Sequence, residues 1–380
     1  MSLAEQEEAD LRQAIELSLQ ADSSKRKHDV IVVDSDSTTT DDEAPAHARH
    51  RQTPQRRSYP PSSPASCRYA NGAVKKTWAF GHPRDNDIKL EEVLQKEDLT
   101  LAVLSSFQWD VEWLLRKINT KPTQLVFVMQ ADDDDVKAEY RRETATMPNV
   151  RLCFPSMEGQ VNCMHSKLML LSYPSHLRIV VPTANLVPYD WGETGIMENT
   201  VFLIDLPRLE SKSTTSPSPK MTTFGEDLIH FLEAMGLERS IIDSMHHFDF
   251  SATQDLAFVH TIGGANTSDG PSWRRTGFCG LGRAISNLGL ATEDPLNIDY
   301  ITSSVGSLNT EFLATLYLAA QGDQGIGVYN WRTTPASKLS KIVDRNMQAK
   351  QQSGTQTDSN GVQNLFPILG NGANIDRRTE

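Results

Sequence analysis

Cys163-Met164-His165-Ser166-Lys167-Leu168-Met169-Leu170-Leu171 decides how the rest of the chain is read. The apolar run from Leu168 to Leu171 is short, which suits a buried β-strand better than a helix. Read as one strand with two polar residues at its mouth, the stretch sets His165 and Lys167 two positions apart, and side chains at i and i+2 of a strand share a face. An imidazole beside an ammonium suits an anionic, phosphate-like group. The histidine can serve as nucleophile or as acid/base, and the lysine steadies oxygens that gain charge in a transition state. Leu177-Arg178-Ile179-Val180-Val181 reads as the next strand, with Pro182-Thr183-Ala184-Asn185-Leu186 directly behind it. Asn185 then lies just past a strand end, where α/β proteins place functional groups, and its amide offers a third grip on a phosphate. An isolated His-x-Lys recurs by chance; the specificity lies in the combined spacing.

Working outward, residues 125–129, 151–154 and 200–204 read as further strands, the last ended by Pro207. A helical region starts within residues 87–94. Phe107, Val111, Leu114 and Leu115 give a helical stripe, with Trp109 and Trp113 as an i, i+4 pair beside it, read as core rather than as a base-stacking platform. Asp132 to Asp135 reads as a solvated loop or helix start, since four adjacent carboxylates without glycine do not match a Ca²⁺ loop. Residues 136–144 suit a helix, and Leu228, Phe231, Leu232 and Met235 mark another, stopped by Gly236. Residues 296–301 read as a strand and 312–320 as a helix. This alternation implies a layered α/β domain.

The set His165-x-Lys167, Thr183-Ala184-Asn185-Leu186 and Asp190-Trp191 resembles the first catalytic half of the tyrosyl-DNA phosphodiesterase family, within the phospholipase D superfamily. The wider superfamily has an Asp five residues after the Lys; Ser172 stands here, as suits the repair enzymes and not the lipases. The resemblance implies a repair phosphodiesterase that hydrolyses the 3′-phosphotyrosyl DNA bond left by topoisomerase I. It gives His165 the role of nucleophile through a phosphohistidine, Lys167 and Asn185 that of holding the phosphate, and it needs no metal or other cofactor. Ser304-Val305-Gly306-Ser307 follows the strand expected at 296–301 and resembles the family segment that holds the DNA backbone, so Ser304 and Ser307 are expected to position DNA; an ordinary helix cap is the plainer reading of the same serines. His260 lacks a Lys two residues on, because Ile262 stands there, and reads as structural. No histidine follows His260, so the family's second His-x-Lys is missing and turnover is expected to be weak or lost. The expected fold is α/β: a phospholipase D-like domain over 67–250 and an incomplete second copy over 251–380, behind a disordered tail over 1–66.

The 380 residues carry a formal net charge of -12, which argues against broad charge-driven binding to nucleic acid, so a DNA site must be a local basic groove. The four cysteines are scattered, as suits a reducing compartment, and no apolar run approaches a membrane span. Residues 35–66 are rich in Ser, Thr, Pro and charge, the composition of a disordered segment. Ahead of them, residues 7–20 combine an acidic first turn with Leu11, Ala14 and Ser18 on one helical face. That pattern resembles a ubiquitin-interacting motif; a frayed amphipathic helix is the alternative. Val30-Ile31-Val32-Val33 followed by Asp34-Ser35-Asp36-Ser37 resembles a SUMO-interacting motif, a strand that could add to a partner's sheet edge. Lys25-Arg26-Lys27 is a weak basic cluster of the kind found in nuclear addresses. The expected partners are therefore DNA ends, ubiquitin and SUMO, in the nucleus. The competing reading is a binding module built on an inactive body.

Overall fold

The computed structural model describes residues 67–131, 133–156, 164–209, 220–263, 266, 272–300 and 310–327. All of them fall in one compact unit, Ser66–Tyr300 with Asn309–Glu380. The expected ubiquitin motif (Leu11, Ala14, Ser18), the SUMO motif, the rest of the tail, Cys163 and the expected DNA-positioning Ser304 and Ser307 lie outside the described residues.

Side-chain alternation builds the core. In β3 (Leu101–Ser105), β4 (Gln124–Val128), β6 (Leu168–Ser172), β7 (His176–Pro182) and β8 (Thr200–Pro207), neighbouring apolar residues enter two different clusters. Leu104, Phe127, Met169, Val180 and Leu203 pack on one face of the sheet with α1 (Leu90–Leu94) and α2 (Val111–Lys117). Val103, Val126, Leu170, Ile179 and Ile204 pack on the other with α4 (Thr223–Ala234) and α5 (Arg239–Ser244). Strands covered on both faces read as continuous apolar runs, which is why Leu168 to Leu171 shows no polar alternation.

With β1 (Ala73–Thr77), the two-residue β2 (Asp87–Ile88) and β5 (Val150–Cys153), the strands form one sheet in the order β2-β1-β8-β7-β6-β3-β4-β5. The β1–β2, β3–β4 and β4–β5 pairs are parallel, and the pairs joining β1, β8, β7, β6 and β3 are antiparallel. The layered α/β architecture expected from the sequence is thus observed. α3 (Asp134–Glu143) opens on Asp133, whose carboxylate accepts from Val136 N at 2.8 Å, so the acidic run starts a helix. Gly236 ends α4 at φ +76°, a conformation glycine adopts without penalty.

Three local expectations fail. His165 and Lys167 precede β6 and lie in irregular backbone, not within the strand. Phe107, Gln108 and Trp109 are outside α2, because Asp110 caps that helix by accepting from Trp113 N at 2.9 Å. Residues 296–300 form no strand: no partner strand is recorded for them among the described residues. The core reading of the tryptophans holds. Trp113 is buried, and Trp109 packs against Phe127 with ring centroids 5.3 Å apart.

Inside the sheet, Arg178 and Asp205 are both fully buried and form a two-pronged ion pair, Nε–Oδ1 2.7 Å and Nη2–Oδ2 3.0 Å. After β8 the chain crosses α4 and returns to it. Asp227 of α4 accepts Arg275 at 2.8 Å and is also bonded by Arg283 of α6 (Gly277–Asn287). α7 (Thr310–Ala320) packs on α6.

Candidate active site

Strand direction brings three segments together at one end of the central strands. β6 runs antiparallel to both of its neighbours, with Leu168 opposite Ser105 and Met169 opposite Val180. The start of β6 therefore meets the carboxyl ends of β3 and β7. His165 and Lys167 come from the first, residues 106–108 from the second and Asn185 from the third.

The irregular segment ahead of β6 is pinned on both sides. Met164 is buried, and its N–H donates to Gln130 Oε1 at 3.0 Å. Ser105 Oγ donates to Ser166 O at 2.9 Å. Between these anchors His165 reaches solvent, its ring tilted against Phe107 at 4.7 Å between centroids. Lys167 Nζ lies 3.0 Å from His165 Nδ1 and 3.2 Å from His165 O. The juxtaposition expected from the spacing is present, although the strand geometry invoked for it is not.

Loss of solvation, and then the Lys167 charge, push the His165 pKa below its ordinary value; a backbone hydrogen bond and the Asp190 carboxylate pull the other way. The ring is therefore neutral at pH 7. An ammonium only donates, so Nδ1 accepts from Lys167 and the neutral ring carries its proton on Nε2.

Asn185 is the node of the third segment. Its backbone N and its Nδ2 both donate to Asp190 Oδ2, at 2.6 and 2.9 Å. Its Oδ1 accepts from Gln108 N at 3.2 Å, and its carbonyl accepts from Trp191 Nε1 at 2.9 Å. Asp190 is buried, and its charge is also felt at His165. The Asn185 amide was expected to grip a phosphate; it reaches one only by giving up a bond to a protein acceptor. Gly192 lets the following loop close: at φ +75° it sits against Trp78, and its carbonyl accepts from Phe80 N at 2.8 Å.

Sequence reasoning missed Phe107, Gln108 and Tyr189. Their signal was available: Phe107 and Gln108 follow the end of an apolar strand, the same position that singled out Asn185. His260 is buried, with Nε2 2.9 Å from His230 Nδ1, in keeping with the structural role read for it. A cavity of about 640 Å³ lined by Leu115, Arg116, Lys121, Met147 and Pro148 lies by the start of β5; neither His165 nor Asn185 lines it. Glu112, also among its lining residues, pairs with Arg116 at 2.9 Å.

The family model described as tyrosyl-DNA phosphodiesterase matches residues 73–363. The chain belongs to the tyrosyl-DNA phosphodiesterase family. Tyrosyl-DNA phosphodiesterase 1 of Arabidopsis thaliana is 27% identical over 185 residues, covering 47% of this chain and 28% of that protein. A crystal structure of the yeast tyrosyl-DNA phosphodiesterase aligns over 50% of this chain and 45% of its own, at 19% identity and a TM-score of 0.40. A mutant form of the yeast enzyme aligns over 55% and 49%, at 18% identity and 0.42. This family member thus spans under half the length of these relatives.

Proposed function

We propose that the chain acts as a DNA-repair phosphodiesterase on 3′-phosphotyrosyl DNA, the adduct left by topoisomerase I. The observation that carries this reading is the Lys167 ammonium 3.0 Å from the solvent-exposed His165 ring at the end of the central strands. A neutral imidazole beside a fixed positive charge attracts a phosphodiester and can attack it. In the resting arrangement the lone pair of His165 points at Lys167. A phosphate oxygen entering the site competes for the ammonium. Once Lys167 turns to that oxygen, the ring proton can sit on Nδ1 and Nε2 can attack phosphorus. The P–O bond to tyrosine breaks as the P–N bond forms, and the phenolate leaves with a proton from solvent. Water then cleaves the phosphohistidine. No step calls on a cofactor.

A phenol is acidic enough, with a pKa of about 10, to depart without full protonation. In the same reading, residues 67–250 form the first phospholipase D-like domain and 251–380 part of a second, in which Ser304 and Ser307 position DNA. The tail recruits the protein to ubiquitin- or SUMO-marked sites in the nucleus, with Leu11, Ala14 and Ser18 on the ubiquitin-facing side.

The patterns in residues 7–20 and 30–37 motivate a second reading, a body that serves as a ubiquitin- and SUMO-binding module. Turnover of a 3′-phosphotyrosyl oligonucleotide separates the two. The enzyme reading predicts slow release of tyrosine that vanishes in His165→Ala; equal release by both proteins removes His165 from the chemistry.

A further inference from the structure

Asp190 lies five residues beyond Asn185 and folds back onto it. It is 5% exposed, and one of its oxygens, Oδ2, takes both the Asn185 backbone N–H at 2.6 Å and the side-chain Nδ2 at 2.9 Å. Hydrogen bonds to a carboxylate are about twice as strong as neutral ones. The amide is oriented from its other end as well. The Gln108 N–H can only donate, so the Asn185 atom 3.2 Å from it is the oxygen Oδ1. Of the two Nδ2 hydrogens, one is therefore committed to Asp190. The other points at Gln108 Oε1 across 3.4 Å, a long contact that a stronger acceptor displaces.

Asp190 keeps its place without help from Asn185. Its turn closes on itself, with Gly192 N bonded to Tyr189 O and Glu193 N to Pro188 O, both at 3.1 Å. Asn199 Nδ2 donates to the Asp190 carbonyl at 2.9 Å. Glu193 then ties the turn to α2: its Oε2 accepts from Trp113 Nε1 at 2.8 Å, and its Oε1 pairs with Lys117 at 2.5 Å. With the carboxylate fixed by the turn and by α2, control runs from Asp190 to the amide. Its charge also reaches the His165 ring, pulling that pKa upward against burial and the Lys167 charge.

We infer that Asp190 is a positioning residue: by holding one Asn185 N–H and the backbone beside it, it sets the other N–H to meet a phosphate oxygen. The inference rests on the reading of this place as a phosphodiester site, and deepens it by making the Asn185 grip depend on a buried carboxylate. Asp190 acts through Asn185 and touches no substrate. Its negative charge repels a phosphate, so losing it has two opposed effects. Repulsion is relieved, and the Asn185 amide is no longer aimed.

A double-mutant cycle separates the two effects, because the direct charge effect is the same with or without the Asn185 amide. The full chain is titrated with inorganic phosphate and followed by the His165 ring signals in NMR. Asn185→Ala should weaken phosphate binding by about tenfold on its own, the scale of one hydrogen bond to a charged group, and by less than about threefold when Asp190→Ala is also present. An equal loss in both backgrounds, or none in either, overturns the inference and leaves the phosphate site standing. No movement of His165 with phosphate in the wild type removes the site itself, and the inference with it. Where Asp190→Ala does not fold, Asp190→Asn decides, since it keeps the shape and one acceptor oxygen. Without phosphate, the Asn185 NH₂ signals should shift in that variant, and the His165 titration midpoint should fall because the carboxylate's upward pull is gone. Signals and a midpoint that match the wild type overturn the inference.

Discussion

Acidifying the protein should uncover a specific weak point where the chain returns to α4. His260 is 5% exposed and sits against Phe231 and Phe258, with ring centroids 5.5 and 5.8 Å away. Its Nε2 is 2.9 Å from His230 Nδ1, and its own Nδ1 is buried without a partner among the described residues. Two imidazoles at that distance share one proton, and a second places two cations in contact. Burial first, and then His230, push the His260 pKa down from 6.5 to about 4; Asp227 pulls upward next in size, ahead of a downward push from Arg275 and an upward one from a backbone bond at Phe258. His230 is lowered too, chiefly by burial, with Arg275 and Arg283 adding to it and Asp227 and Glu233 opposing. The fold therefore binds these protons less readily than the unfolded chain does. Stability is complete above about pH 6.5, falls as the pH drops below that, and levels off below about 4. For His260 alone the difference between 6.5 and about 4 corresponds to about 3 kcal/mol, enough to matter against a total of about 5–15 kcal/mol. Urea unfolding of the full chain, followed by tryptophan fluorescence from about pH 7 to about pH 4, measures this. Carboxylates titrate in the same range, so the comparison is with His260→Gln, whose amide can still bond His230. The wild type should lose about 3 kcal/mol more than the variant over that interval. Equal pH slopes for the two proteins would refute the reasoning.

Other expectations follow from the same contacts. Asp205→Ala strands the Arg178 guanidinium, which is fully buried, and should destabilise the fold by about 3–5 kcal/mol in denaturant titrations; a loss below about 1 kcal/mol would mean that Arg178 finds other compensation. Gly192→Ala places a Cβ 2.1 Å from Trp78 O at φ +75°, so it should lower the melting temperature and disturb the Asn185 amide signals; an unchanged protein would show that this loop gives way freely. The His165 imidazole, followed by NMR, should titrate below 6.5, and Lys167→Met should raise its midpoint by removing the adjacent charge; a midpoint that falls or stays put in the variant would contradict the geometry.

What the sequence made legible was the part written as local pattern. Leu125 to Val128 and Leu168 to Leu171 are continuous apolar runs because helices cover both faces of those strands, and such runs can be read without partners; Leu177 to Val181 is interrupted by Arg178 alone. The chemistry of His165 and Lys167 was legible from residue type and spacing, yet for an inexact reason. Side-chain parity along a strand was invoked, whereas anchors at Met164 and Ser166 hold irregular backbone in place. Strand order was not legible. The β3–β6 pairing joins residues more than sixty apart, and nothing in either run names the other. Arg178 read as an ordinary member of an apolar strand, since its partner Asp205 lies 27 residues away in sequence and meets it only across the β7–β8 register. Phe107 fell into a helical stripe because 107, 111 and 114 share a helical face on paper. The Asp110 cap starts the helix later and frees Phe107 and Gln108 for the site. The hydrogen bonds from Asn185 and Tyr189 to Gln108 Oε1 join two segments 77 and 81 residues apart, and no window of sequence contains both.

The central claim is that the His165 ring forms a bond to phosphorus. The full chain, mixed with a 3′-phosphotyrosyl oligonucleotide and quenched in alkali, where a phosphohistidine survives, can be digested and mapped by mass spectrometry. The account predicts a nucleotide-phosphate adduct on the peptide bearing His165, released tyrosine in at least equal amount, and neither in His165→Asn. Tyrosine release that persists in His165→Asn, or an adduct on any other residue, would contradict it.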